Sequence, residues 1–141
     1  MMTADAGPVA TRNALWSLAA VGGLLLALFL FAGAYGHFSA VWPALARGAE
    51  ASGSSRLMLL MPGALLTFTG MVNFILSRAL WTQARWALHG ALVTNVLAIA
   101  YFSYLLGTGV PNHPIGLFLA LVSSDTAMLV AIRCGLVWPG R

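Results

Sequence analysis

Apolar residues run almost unbroken through four stretches of this chain, and polar residues gather between them. The stretches cover about 14–36, 57–76, 86–106 and 115–132. A helix needs about 20 apolar residues to cross about 30 Å of hydrocarbon, and each stretch is close to that length. The pattern predicts an all-α fold: an integral membrane antiparallel bundle of four transmembrane helices. These spans use most of residues 1–141, so they form a single transmembrane domain with no soluble domain beside it.

The breaks differ in chemistry. Residues 37–56 read as the longest loop, with Pro43, Arg47, Glu50 and the run Ser52-Gly53-Ser54-Ser55. Ser54 or Ser55 suits a helix cap, where a hydroxyl accepts a free backbone N–H. Residues 77–85 form a link short enough for a helical hairpin. Residues 107–114 are a Gly/Pro turn cluster. Pro62 leaves the start of the second helix open. A start at Leu57 puts the proline inside, where it frees the Met58 carbonyl and kinks the helix. A start at Pro62 makes it a favourable first-turn residue, and the span then reaches Trp81 with Arg78 snorkelling. Ala32-Gly33-Ala34 fits a signal-peptide cleavage pattern, but the apolar run before it is longer than a signal core, so the first span is expected to be retained.

Composition sharpens the membrane reading. The 141 residues are 60% hydrophobic and only 7% charged, against roughly 25% charged in a typical soluble domain. Disorder needs the opposite balance. The net charge of +4 is too sparse for a nucleic-acid partner. With one cysteine, no disulfide framework or multi-cysteine metal site exists.

Charge also orients the bundle. With four spans, Arg12, Arg78, Arg85, Arg133 and Arg141 share one side. Arg47 and Arg56, partly offset by Glu50, hold the other. The positive-inside rule then places both termini in the cytoplasm. The expected setting is a bacterial inner membrane. Trp16, Trp81, Trp86 and Trp138 fall at the inner interface, and Trp42, Tyr35 and Tyr104 at the outer, as in an aromatic belt.

Polar residues recur at one depth. Counted inward from the cytoplasmic ends, Asp125, Asn95, Thr67, Thr69, Gly22 and Gly23 share a layer about 12 Å deep. An ionisable side chain there costs roughly 3 kcal/mol, so Asp125 should face inward and find Asn95 or Thr67. Two readings compete. Asp125, Asn95 and Thr67 form a proton, cation or ligand site, or Asp125 is a neutral acid in an interhelical hydrogen bond. Stripes of small residues point to close helix packing: Gly116, Ala120, Ser124 and Ala127 on the fourth span, Gly63 and Gly70 on the second.

Candidate ligands for a metal or haem are His37 and His113, which lie on the outer side without HxxxH, HxH or CxxCH spacing. Interfacial imidazoles bonded to water or backbone are the simpler reading. His89 matches Asn73 in depth and is expected to bond to it. Cys134 at the inner edge suits either reversible palmitoylation or a passive role. No nucleophile–base arrangement, P-loop or paired carboxylate is present, and no cofactor is required by any motif, although haem or a pigment stays open. The leading expectation is a non-enzymatic accessory or scaffold subunit of a larger membrane complex, in contact with lipid and with other subunits or itself. The alternative is a small transporter or ligand-binding membrane protein built on the Asp/Asn layer. A membrane-embedded enzyme on a lipid or quinone comes third, with only His37, Glu50 and His113 to serve as acid or base.

Overall fold

The computed structural model of the chain describes residues 7–46, 53–108 and 113–134. They form four helices: α1 (Gly7–Ala46), α2 (Gly53–Trp81), α3 (Arg85–Gly107) and α4 (His113–Arg133). Each of the four is long and apolar enough to cross a membrane. At 1.5 Å per residue, α3 with 23 residues and α4 with 21 just span a bilayer, at about 35 and 32 Å. Helix α1, with 40 residues, is about 60 Å long and must project beyond the hydrocarbon.

That projection overturns part of the expected loop. Residues 37–46 continue α1 as helix, with Pro43 inside it, and α2 already begins at Gly53. The physical reason is a neighbour. Gly63 of α2 is buried, and a Cβ there would stand 2.7 Å from the Phe38 ring, so only a hydrogen lets the two helices touch. Beside it, His37 Nε2 donates to the Leu59 carbonyl at 2.8 Å. Packing against α2 supports this end of α1. Pro62 therefore lies in the interior of α2, the first of the two expected placements.

The α2–α3 link is short and well defined. Ala84 N donates to Ala79 O and Gln83 N to Leu80 O, the paired bonds of a Schellman helix end. The motif needs a left-handed residue, and Gln83 takes that role with φ 57°. Its side-chain amide donates to Asn13 Oδ1 at 3.0 Å, which ties the link to α1.

Helices adjacent in the chain pack together, and α4 packs on α1 to close the ring. Two apolar clusters fill it. The first draws on all four helices: Trp16, Ala19 and Ala20; Leu76 and Leu80; Ala87, Leu88 and Ala91; Leu129 and Ile132. Trp16 is only 7% exposed, so it is a core residue here and not part of an interfacial belt. Trp81, Trp86, Trp42, Tyr35 and Tyr104 are exposed, and Trp138 lies outside the described residues. The second cluster is built from α1 and α4 alone, by Leu26, Leu30, Phe118 and Val122. Helices α2 and α3 supply only partly buried residues to it, among them Leu66, Ala98 and Phe102.

Candidate functional site

Between the two clusters lies a thin polar layer. Asp125 is 2% exposed and Asn95 1%. Asn95 Nδ2 donates to Asp125 Oδ2 at 2.8 Å, which joins α3 to α4. The other carboxylate oxygen, Oδ1, is buried and has no hydrogen-bond partner. It faces Gly22 of α1, where a Cβ would overlap Oδ1 and stand 3.0 Å from Cγ. The acid is thus held in a seat of its own size, closed by the α1 backbone.

A second polar bond crosses the same layer. Ser77 Oγ donates to the Ala20 carbonyl, joining α2 to α1. Ser77 is buried, and Gly23 next to it is narrow enough that a Cβ would sit 3.4 Å from Ser77 Cβ. The layer therefore ties the helices in two pairs, α1 with α2 and α3 with α4. The Asp125–Gly22 contact brings the pairs together.

Thr67 is not part of this site. Its hydroxyl donates to Gly63 O on its own helix at 2.9 Å. The helix end explains the difference. Helix α2 runs on to Trp81, so residues near Asn73 and Ser77 lie level with Gly23, and Thr67 lies about 9 Å farther along. Thr94 and Thr126 likewise bond back to their own helices, at Gly90 O and Val122 O. The expected His89–Asn73 bond is not formed. His89 Nδ1 lies 3.0 Å from Arg85 O, and Asn73 Nδ2 donates to Thr69 O at 2.9 Å. A polar side chain on a helix finds the carbonyl four residues back more cheaply than a partner across a gap.

The small residues divide into two groups. Gly63 and Gly70 lie against α1, where Cβ atoms would press on Phe38 and Phe31. Gly116 has nothing within 4 Å of its missing Cβ, and Ala120, Ser124 and Ala127 are exposed. The inward face of α4 carries Ile115, Phe118, Val122, Asp125, Leu129 and Ile132 instead. The small set of α4 thus lies on its outward face among the described residues.

His37 is turned to the Leu59 carbonyl through Nε2. The side chain of His113 and all of Glu50 lie outside the described residues. Among the described residues no group of three His, Cys, Asp or Glu side chains is arranged to hold a metal. Cys134 is exposed at the end of α4.

Two clefts lie among the described residues. A cleft of about 430 Å³ lies between α2 and α3, walled by Leu66, Thr69 and Val72 on one side and Thr94, Ala98 and Tyr101 on the other. A second, of about 330 Å³, lies near the end of α2 beside Arg78 and Trp81. Asp125 and Asn95 line neither cavity.

Sequence reasoning missed the Ser77–Ala20 bond and the role of Gly22 as the seat of Asp125. Depth alone pointed to Gly22, since it shares the layer with Asp125. Compared with known proteins, the chain matches no family model, no curated protein and no solved structure.

Proposed function

We propose that this chain is a non-enzymatic scaffold or accessory subunit of a larger membrane complex. It is a single domain, an antiparallel four-helix bundle in a bacterial inner membrane. The observation that carries the reading is the closed seat of Asp125. The one acid among the described residues of the spans is bonded to Asn95 and pressed against Gly22. A carboxyl packed between Asn95 and Gly22 suits a staple between helices better than the coordination shell of an ion. The outward small-residue face of α4 adds support. Ser123 and Ser124 are exposed on it, where a hydroxyl facing lipid is costly and a neighbouring helix would satisfy it.

The antiparallel arrangement is supported by the order of contacts. Along α1, Ala20, Gly23, Phe31 and Phe38 meet Ser77, Ser77, Gly70 and Gly63 of α2, in falling order. The orientation is supported by arginine. Arg78, Arg85 and Arg133 are exposed, and the nearby Leu80, Leu88 and Ile132 share one cluster. Three cations thus ring one end of the bundle, which the positive-inside rule assigns to the cytoplasm together with both termini. The side chains of Arg12, Arg47 and Arg141 lie outside the described residues.

Purification in a mild detergent tests the subunit reading. The expected result is a second polypeptide at fixed stoichiometry. A lone chain or homo-oligomer that binds a solute, and loses it on Asp125→Asn, would establish the transporter reading instead. A C-terminal alkaline phosphatase fusion is expected to be inactive, and an active one would overturn the orientation.

A further inference from the structure

We infer that the α2–α3 cleft is a binding site for one hydrocarbon chain of a membrane lipid, entering sideways from the leaflet that faces the second cluster. The cleft opens where the burial of α3 ends. Asn95 is the last fully buried residue of α3, and every residue from Val96 to Gly107 is partly or fully exposed. On α2 the facing lip carries Leu65 and Phe68, which are 53% and 66% exposed. Behind the lips the floor is closed by Leu30 of α1 and by Phe102, whose ring packs at 4.5 Å on Phe118 of α4. The result is a pocket with a back wall and one open side, within the roughly 300–1,000 Å³ range of small-ligand sites.

Its chemistry selects the occupant. The walls are leucine, valine, alanine and aromatic rings, with two threonines at the deep end. Thr94 already donates to Gly90 O, so the Thr69 hydroxyl stands at the deep end among walls that are otherwise mostly apolar and aromatic. Tyr101, 45% exposed, stands toward the other end, its ring edge-on to Phe102. From Thr94 to Phe102 the slot runs about 12 Å along α3, close to half of a hydrocarbon core of about 30 Å. It starts beside the Asn95 layer and runs away from the α2–α3 link. A chain that fills it therefore reaches from one interface to the middle of the membrane, as the tail of a lipid does. A water-filled cleft of this composition would leave its apolar walls without partners.

The full-length protein, reconstituted in vesicles of phosphatidylethanolamine and phosphatidylglycerol, tests this. The probe is a phospholipid with a diazirine halfway along one acyl chain. Labelling should concentrate on residues 65–72 and 94–102 and saturate at one lipid per chain. Ala98→Phe places a ring in the slot and should cut that labelling at least about fivefold. Leu117→Phe, at a residue 59% exposed on α4, should leave it unchanged. Should Ala98→Phe fail to fold, competition by unlabelled phospholipid on the unaltered protein replaces it, with labelling at these residues expected to fall. Mass analysis of lipid that co-purifies in mild detergent separates the sources. A phospholipid or a prenyl lipid, lost in either case on Ala98→Phe, identifies whose chain is held. Labelling spread evenly over all exposed helix faces, labelling that neither Ala98→Phe nor competitor reduces, or cross-links showing a protein helix in the cleft would overturn the inference.

Discussion

Ala91 and Ala98 stand two turns apart on α3, and their surroundings differ sharply. Ala91 is 4% exposed in a cluster to which all four helices contribute. Ala98 lines an open cleft. The difference follows from side-chain size. Lipid tails are as apolar as leucine, so helices in a membrane are held by close packing and hydrogen bonds, and small residues permit the closest approach. The first cluster has Ala19, Ala20, Ala87 and Ala91 at its centre. Past the Asn95 layer, Leu65 and Phe68 of α2 and Leu97 and Tyr101 of α3 line the cleft and are exposed. There the bundle relies on rings: Phe118 packs on Phe29 at 5.2 Å and on Phe102 at 4.5 Å, and Phe31 and Phe38 lie against glycines of α2.

The same substitution at both alanines is the strongest way to break this comparison. Ala91→Phe should cost more than about 3 kcal/mol, since overpacking a full core displaces backbones, and folded protein should be scarce. Ala98→Phe should cost less than about 1 kcal/mol, because the cleft has room for the ring. Equal losses of thermal stability in detergent would erase the distinction between the halves.

Deleting bulk asks the converse question. Leu129→Ala, at a residue 0% exposed, should cost about 2 kcal/mol. That is the low end of the range for soluble cores, because the unfolded helix also rests in lipid. Phe68→Ala on the lip of the cleft should change stability by less than about 0.5 kcal/mol. Denaturation in a graded detergent series would rank the two, and a larger loss for Phe68→Ala would contradict the account.

The polar layer should respond by smaller amounts. Asp125→Leu removes the bond that holds Asn95 and should cost about 1–2 kcal/mol. Asp125→Asn keeps a side chain of the same size that can pair with Asn95, and should cost about 1 kcal/mol or less. Both are read as shifts in melting temperature. An Asp125→Asn loss as large as that of Asp125→Leu would mean that the bond to Asn95 does not hold the layer. The smallest effect concerns the link. Gln83→Gly relieves the left-handed backbone but gives up the bond to Asn13, so the net change should stay within about 0.5 kcal/mol.

Four helices were legible in the sequence because about 20 apolar residues in a row leave few other structures. Their ends were less legible. Helix α1 past His37 is held by Gly63 and Leu59 on another helix, and no local pattern reports a tertiary contact. The pairing of Asn95 with Asp125 followed from depth, counted along two helices whose ends lay close to where the polar breaks put them. Thr67 was misplaced by the same count, because α2 runs five residues past Leu76 to Trp81. Which face of α4 turns inward was legible from Asp125, whose stripe carries Phe118, Val122, Leu129 and Ile132. What the small stripe packs on was not legible, since small residues recur at helical spacing whether their partner lies in this chain or outside it. The cleft was invisible too, since it records side chains that fail to interlock.

The central claim is that two stapled helix pairs meet where Asp125 presses on Gly22. A double-mutant cycle on Gly22→Ala and Asp125→Ala, read as thermal stability of the purified protein, tests it most directly. Gly22→Ala alone should cost about 1–3 kcal/mol, because the new methyl overlaps the carboxylate. Asp125→Ala alone should cost about 1–2 kcal/mol through the unpaired Asn95. With the carboxylate gone the methyl has room, so the double variant should be no less stable than Asp125→Ala alone, a coupling within the 0.5–3 kcal/mol seen for residues in contact. If the two losses simply add, Gly22 and Asp125 do not touch, and the account of how the pairs are joined is wrong.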